Sequence, residues 1–175
     1  VMDAPVIRKT TLKDIDRHIQ AGKGTIIMLD PFQRMNSANA NLTIKSSREG
    51  QINSITDLLQ NYGLQFSSNK VVGDFKNAAT VESTAGQNFA YPYWLQIQKI
   101  NISQAHLVSE TLNELLFVES GYFKANKSNI KIEPLVTTSD ETNLISKNEV
   151  HENSTEELAT SFKVTEKKRR IIAAH

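Results

Sequence analysis

Apolar residues recur at helical spacing near the start of the chain and then form a short continuous run. Three of them, separated by three and four positions, predict an amphipathic helix: Leu12, Ile15 and Ile19. Thr10 or Thr11 can cap this helix, and Gly22 ends it. The apolar run at residues 25–29, bounded by glycine and by Asp-Pro, is typical of a buried parallel strand. Together with a strand end at Val1-Met2, it predicts a βαβ unit.

The same order of helix, glycine, strand and aspartate recurs further along. Apolar residues at helical spacing predict a second helix over residues 52–62, which Gly63 terminates. A strand at residues 70–72 then leads into a turn at Gly73-Asp74. The polar, Asn- and Ser-rich residues 33–50 between the two units predict a surface loop that holds a short strand at 42–44.

The second half of the chain predicts short strands and one further helix. The predicted elements are strands at residues 79–82, 115–118, 130–136 and 171–174 and a helix at residues 103–112. Residues 141–168 are rich in Glu, Lys, Asn, Ser and Thr and predict a polar, mobile excursion. We therefore divide the chain into an α/β domain over residues 1–140, this excursion, and a returning strand of the same domain over residues 169–175.

These patterns favour a single-domain α/β fold, Rossmann-like or flavodoxin-like, with a mostly parallel central sheet and helices on both faces.

The chain is 39% hydrophobic and 22% charged, as expected for a globular domain. Its net charge of +1 gives no reason to expect nucleic acid as a partner. The absence of cysteine excludes thiol nucleophiles and disulfides. No apolar run approaches the ~20 residues that span a bilayer, and no signal peptide opens the chain. Because Val1-Met2 resembles the end of a buried strand, we expect an excised or proteolysed fragment, whose missing anchor says nothing about the parent protein.

Motifs that would indicate an enzyme are weak or missing. The segment Gly22-Lys23-Gly24-Thr25 resembles a phosphate loop, but it follows a helix and precedes a strand, which favours a helix cap instead. There is no G-x-S-x-G nucleophile elbow, and Glu156-Glu157 lie in the polar segment, where no pocket would raise a pKa. Asp14 and His18 have a spacing that can chelate a metal, yet basic neighbours favour a solvated helix face. We therefore expect no catalytic residue, no metal site and no cofactor.

Two sets of residues are candidates for binding a ligand or a partner. Aspartates follow four predicted strands, at Asp3, Asp30, Asp74 and Asp140. Ligands of open α/β sheets bind beyond the strand ends, which makes Asp30 and Asp74 candidates, whereas turn formation is the alternative for each.

The densest aromatic patch is the second set, formed by Tyr91, Tyr93 and Trp94. Such rings can form a binding platform, and burial in the core is the alternative. The basic run Lys167–Arg170 is either a contact for anionic headgroups or a solvated turn.

Several of these segments occur together in the order of a known family. They are residues 18–32, 58–64, 71–74, 91–95 and 134–139. This order resembles the gliding-motility-type auxiliary components of ABC transporters, whose domain is shared with an intraflagellar-transport protein. The resemblance implies a Rossmann-like domain on the extracytoplasmic, periplasmic face of the bacterial inner membrane, anchored by transmembrane helices outside this chain.

The same resemblance implies a non-catalytic accessory role, in binding or scaffolding. The partners it implies are the permease and ATPase subunits, another auxiliary subunit, or an exported polymer or peptide. The alternative from a different class is a hydrolase or amidotransferase-like enzyme on a similar α/β sheet.

Overall fold

The computed structural model describes residues 7, 9–32, 54–126 and 131–175. The predicted strand end at Val1-Met2, Asp3, and the predicted loop at 33–50 with its strand lie outside these described residues. None of the helices in the described part of the chain has the length and apolar character needed to cross a bilayer.

Strands outnumber helices in the described residues. The helices are α1 (Lys9–Gln20), α2 (Ile55–Asn61), α3 (Lys147–Glu152) and α4 (Thr155–Ser161). The strands are β1 (Leu64–Ser67), β2 (Lys70–Asp74), β3 (Ala78–Glu82), β4 (Asn88–Gln98), β5 (Glu114–Val118), β6 (Tyr122–Ala125), β7 (Pro134–Thr137), β8 (Glu141–Ser146), β9 (Glu166–Lys167) and β10 (Ile171–Ala174).

The strands form three small sheets, and the prediction of a parallel Rossmann-like or flavodoxin-like sheet is wrong. The strand orders are β1-β6-β10-β7, β2-β8-β9 and β3-β4-β5. Every pairing between these strands is antiparallel. Parallel neighbours need a long crossover, usually a helix, but the described residues between β1 and β8 contain no α-helix. The helix–glycine–strand order at the start of the chain therefore does not continue through the later strands.

Residues 25–29 do not form the predicted central strand. Only Met28 makes an isolated β-bridge. Ile26 is 75% exposed and Met28 is 59% exposed, while Ile27 and Leu29 pack against α1 and α2. The side chains therefore alternate between solvent and core. A continuous apolar run cannot by itself distinguish this half-exposed extended segment from a strand buried on both faces.

The first two helices are confirmed, together with the glycines that end them. Gly22 and Gly63 have φ angles of 67° and 84°, the left-handed conformation that glycine adopts at low cost. Ser54 caps the start of helix α2, and its side chain accepts a hydrogen bond from the backbone N–H of Asp57. The two helices share a small core centred on Leu12, Ile55, Leu58 and Leu59.

Two later predictions differ from the structure. Residues 103–112 form bends and turns, not a helix. The Ser109 hydroxyl donates to the Ser103 carbonyl at 2.7 Å, the kind of local side-chain bond that competes with helical backbone bonding. Residues 141–168, predicted as a loose excursion, contain β8, α3, α4 and β9. Many of their polar residues cap helices, since Ser146 and Ser154 both form capping boxes. The division of the chain at residue 140 stays a prediction.

Two further clusters fill the space between the sheets. One gathers buried residues from the β1-β6-β10-β7 sheet together with Val72, Leu95 and Ile97. The other is aromatic and contains Tyr91 and Tyr93. Strand β4 contributes to both clusters, so it links the two halves of this core.

Candidate functional site

The carboxylate of Asp74 is fully buried at the end of β2, where it joins separate segments of the chain. Oδ1 accepts from the backbone N–H of Lys76 at 3.1 Å and from the Ser139 hydroxyl at 2.8 Å. Oδ2 accepts from the Asn77 amide and from the Ser139 backbone N–H, both at 2.6 Å. A carboxylate offers about four acceptor positions, and all four are occupied here. Asp74 therefore fixes the β7–β8 connection against the end of β2.

The junction continues from Ser139 into the last strand. The Thr138 hydroxyl accepts from the backbone of Arg170 at 2.8 Å, and the Thr138 N–H donates to the Arg170 carbonyl at 3.0 Å. The side chain of Arg170 is itself buried, forms an ion pair with Glu166, and lies 4.8 Å from the Tyr122 ring centroid. The β2-β8-β9 sheet and strand β10 are thus connected through polar contacts as well as through the core.

Gly73 is required by the aromatic side chains that pack on it. A Cβ atom at this position would lie 2.6 Å from Tyr93 Cε1 and 2.9 Å from Phe162 Cε2, far inside van der Waals contact. Only glycine lets the backbone of β2 approach these rings so closely. The Val72-Gly73-Asp74 segment is therefore built for packing and for the Asp74 junction.

The predicted aromatic patch is mostly interior. Tyr91 and Tyr93 are 0% and 1% exposed. Their rings are 5.7 Å apart in an edge-to-face arrangement, and Phe162 lies 6.0 Å from Tyr93. Burial, with a smaller effect of the Glu149 charge, raises the pKa of Tyr93 to about 12. The Tyr93 hydroxyl accepts a hydrogen bond from Asn143 at 3.3 Å.

Trp94 is the member of the patch that lies at the edge of this interior. It is half-buried, and its ring packs 6.1 Å from Tyr91. Its Cα pairs with that of Val118 on β5, and Gln96 pairs with Leu116 in the same register. Side chains two residues apart share a face, so Trp94, Leu116 and Val118 belong to the outer face of the β4–β5 pair. Leu116 is 57% exposed there.

Asp30 occupies a turn beside the same aromatic cluster. Its Oδ1 accepts from the backbone N–H of Phe32 at 2.8 Å, the geometry of an Asx-turn. Pro31 is buried, and Phe32 packs against the cluster that contains Tyr91 and Tyr93. The structure therefore brings Asp30 close to the aromatic residues and connects Asp74 to them through Gly73. A binding role for these five residues stays a prediction.

A shallow groove lies between α1 and the segment that follows it. Its volume is about 420 Å³, and its lining residues are Thr11, Asp14, Ile15, His18, Gly24, Thr25 and Ile26. Asp14 and His18, the pair with chelating spacing, therefore share this groove. Asp14 forms an exposed ion pair with Arg17 at 3.2 Å, as expected for a solvated helix face.

Two surface features were not recognised in the sequence. The run at residues 114–118 alternates between inward Leu115 and Phe117 and outward Leu116 and Val118, and this period of two was the available signal. The second feature is the division of the basic run, in which Arg170 is buried while Lys167, Lys168 and Arg169 are exposed. No local pattern in the run distinguishes the buried arginine from its neighbours.

Comparison with known proteins assigns the chain to a family. Neither the curated proteins nor the solved structures contain a match to it. The family model described as an ABC-type uncharacterized transport system matches residues 4–175, nearly the whole chain. This match includes residues 141–168, which lie outside the segments that carry the resemblance. The chain belongs to this family of auxiliary components of ABC-type transport systems.

Proposed function

We propose that this domain is a non-catalytic accessory module, located on the extracytoplasmic side of the membrane, that binds the permease subunit of its transport system. Membership of the auxiliary-component family is the observation that carries the proposal. An auxiliary component has to contact the proteins that transport the substrate. The periplasmic location and the relation to gliding-motility systems rest on the sequence resemblance.

The contacts of the predicted site residues support a non-catalytic role. All four acceptor positions of Asp74 are occupied by protein donors, and the carboxylate is buried. Tyr91 and Tyr93 are enclosed in the core. A general acid or base has to reach a substrate proton, which these groups do not. The alternative of a hydrolase or amidotransferase-like enzyme loses its premise, because the parallel sheet on which it depended is not the fold.

The outer face of the β4–β5 pair is the surface that we assign to permease binding. Leu116 and Val118 are 57% and 38% exposed on a strand at the edge of its sheet, and half-buried Trp94 lies beside them. Tryptophan is among the residues that dominate the binding energy of protein interfaces, and the exposed leucine and valine add apolar area that a partner can bury. Of the five predicted residues, Trp94 is the one that belongs to this surface.

A charge placed at Leu116 tests this surface. Burial of the exposed part of a leucine is worth about 1–2 kcal/mol, so Leu116→Asp should weaken binding to the purified permease subunit about tenfold or more. Leu107→Asp is the matched control, because Leu107 is 82% exposed in the separate 103–112 segment. The free energy of unfolding of both variants should lie within about 0.5 kcal/mol of that of the original chain.

Three results would count against the proposal. They are no binding by the unmodified domain, equal loss in the two variants, and unchanged affinity of Leu116→Asp. Calorimetric titration of the detergent-solubilised permease measures all of them. Turnover of ester or amide substrates by the purified domain would contradict the non-catalytic part separately.

A further inference from the structure

The segment between α4 and β10 is strongly basic on its exposed side. Residues 163–170 contain five basic residues and one glutamate. Four of the basic side chains are exposed: Lys163, Lys167, Lys168 and Arg169. The whole chain has a net charge of only +1, so this excess of positive charge is local.

The carboxylates near this segment are already paired with other cations. Glu166 pairs with buried Arg170. Asp140 and Glu141 both pair with Lys76, at 3.3 and 3.2 Å. The pKa of Asp140 is lowered mainly by a hydrogen bond with its own backbone, then by the Lys76 ammonium, and to a smaller extent by the charge of Arg169.

No ion pair of the four exposed cations occurs within the described ranges of the chain. Lys167 lies opposite Glu141 in the β8–β9 pair, but the Glu141 carboxylate is bound to Lys76. The acidic residues of α4, Glu156 and Glu157, are in its first turn, at the far end of the helix from Lys163. In this described part of the chain, the positive charge after α4 is therefore not neutralised by direct ion pairs.

Apolar side chains are exposed next to these charges. Val164 lies within the basic segment and is 44% exposed. Phe75 is 55% exposed, and its ring lies 5.9 Å from that of Phe162, the residue that precedes Lys163. Lys and Arg beside exposed aromatic and aliphatic residues are typical of protein surfaces that lie on anionic bilayers.

We propose that this surface, formed by Phe75, Val164 and the four exposed cations, binds the headgroups of an anionic phospholipid bilayer. A bilayer fits the observations better than nucleic acid, because the charge is confined to one short segment and includes apolar side chains. The family belongs to ABC-type transport systems, and this inference rests on the proposed location of the domain beside the membrane. The contact would orient the domain on the membrane, independently of the β4–β5 face.

The experiment measures partitioning of the purified chain onto vesicles of phosphatidylcholine, with and without phosphatidylglycerol. Each lysine near an anionic surface contributes about a fivefold change in partitioning, so the double variant Lys167→Gln/Lys168→Gln should bind roughly 25-fold more weakly. Lys167→Arg/Lys168→Arg should bind as the original chain does. The matched control is Lys9→Gln/Lys13→Gln, which removes the same charge from exposed positions on α1 and should change binding less than about twofold.

Salt and soluble anions separate the remaining explanations. Raising the ionic strength from about 0.1 M to about 1 M shortens the screening length from about 10 Å to about 3 Å and should release the protein. Equal losses in the test and control variants, or equal binding to vesicles without phosphatidylglycerol, would overturn the proposal. The proposal would also be overturned if soluble polyphosphate bound the protein as tightly, per phosphate group, as the anionic vesicles do. A Phe75→Ala variant that partitions as the original chain does would remove the apolar part of the proposed contact.

Discussion

Replacement of Asp74 by asparagine tests whether this residue is a structural junction. The substitution keeps the size of the side chain and exchanges one carboxylate oxygen for an NH₂ group. In either orientation the NH₂ group faces two former donors: Asn77 and the Ser139 N–H, or the Lys76 N–H and the Ser139 hydroxyl. The hydroxyl can rotate and accept, so the second orientation is better and leaves one donor, the Lys76 N–H, without a partner.

The magnitude follows from these contacts. A donor left without an acceptor in the interior costs about 1–3 kcal/mol. Loss of the negative charge also weakens the remaining bonds, because charge-assisted hydrogen bonds are about twice as strong as neutral ones. We expect Asp74→Asn to lower the free energy of unfolding by about 2–4 kcal/mol, a large part of the 5–15 kcal/mol typical of a domain.

Urea unfolding followed by circular dichroism and by the fluorescence of the single tryptophan measures this loss. The control is Asp140→Asn, since the Asp140 side chain is 63% exposed and its ion pair with Lys76 lies at the surface. That variant should unfold at nearly the same urea concentration as the original chain, because solvent screens an exposed ion pair. If the free energy of unfolding of Asp74→Asn lay within about 0.5 kcal/mol of that of the original chain, the junction would not have the role we assign to it.

Two further predictions concern the aromatic core. Gly73→Ala should destabilise the domain by about 1–2 kcal/mol, because its Cβ would lie 2.6 Å from Tyr93 Cε1 and 2.9 Å from Phe162 Cε2. A Tyr93→Leu background should lower this cost without removing it, since Phe162 stays in place, whereas Gly24→Ala, with no atom within 4 Å, should be nearly neutral. An equal cost of Gly73→Ala in both backgrounds would contradict the clash with Tyr93. Burial raises the pKa of Tyr93 to about 12 from the ordinary tyrosine value of 10.0, so the native state holds this proton more tightly than the unfolded state. The stability that this proton contributes should be present below pH 10 and lost between pH 10 and about 12. Urea unfolding across this range should show a steeper loss of stability than in Tyr93→Phe, and identical pH profiles would refute the assignment.

Local features of the sequence were sufficient for the first two helices and the glycines that end them, but not for α3 and α4. The spacing of Leu12, Ile15 and Ile19 identified α1, and Gly22 and Gly63 terminate helices as expected, because capping and amphipathicity depend on neighbouring residues only. Strands such as β2 and β5 were also found at the predicted positions. The turn at Asp30, one of its two predicted alternatives, could likewise be predicted from the sequence, since an Asx-turn involves residues two apart.

The pairing of strands and the fate of individual side chains were decided by the tertiary structure. Whether a strand has parallel or antiparallel neighbours depends on partners far away in the chain, such as β2 with β8, and the local pattern does not specify them. Asp74 became a buried junction because Ser139, 65 residues away, supplies two of its donors. Arg170 is buried and Lys167 exposed within one basic run because β10 enters the core there. Burial and hydrogen-bond partners are properties of the assembled chain, whereas the sequence determines directly only those contacts that form within a few residues.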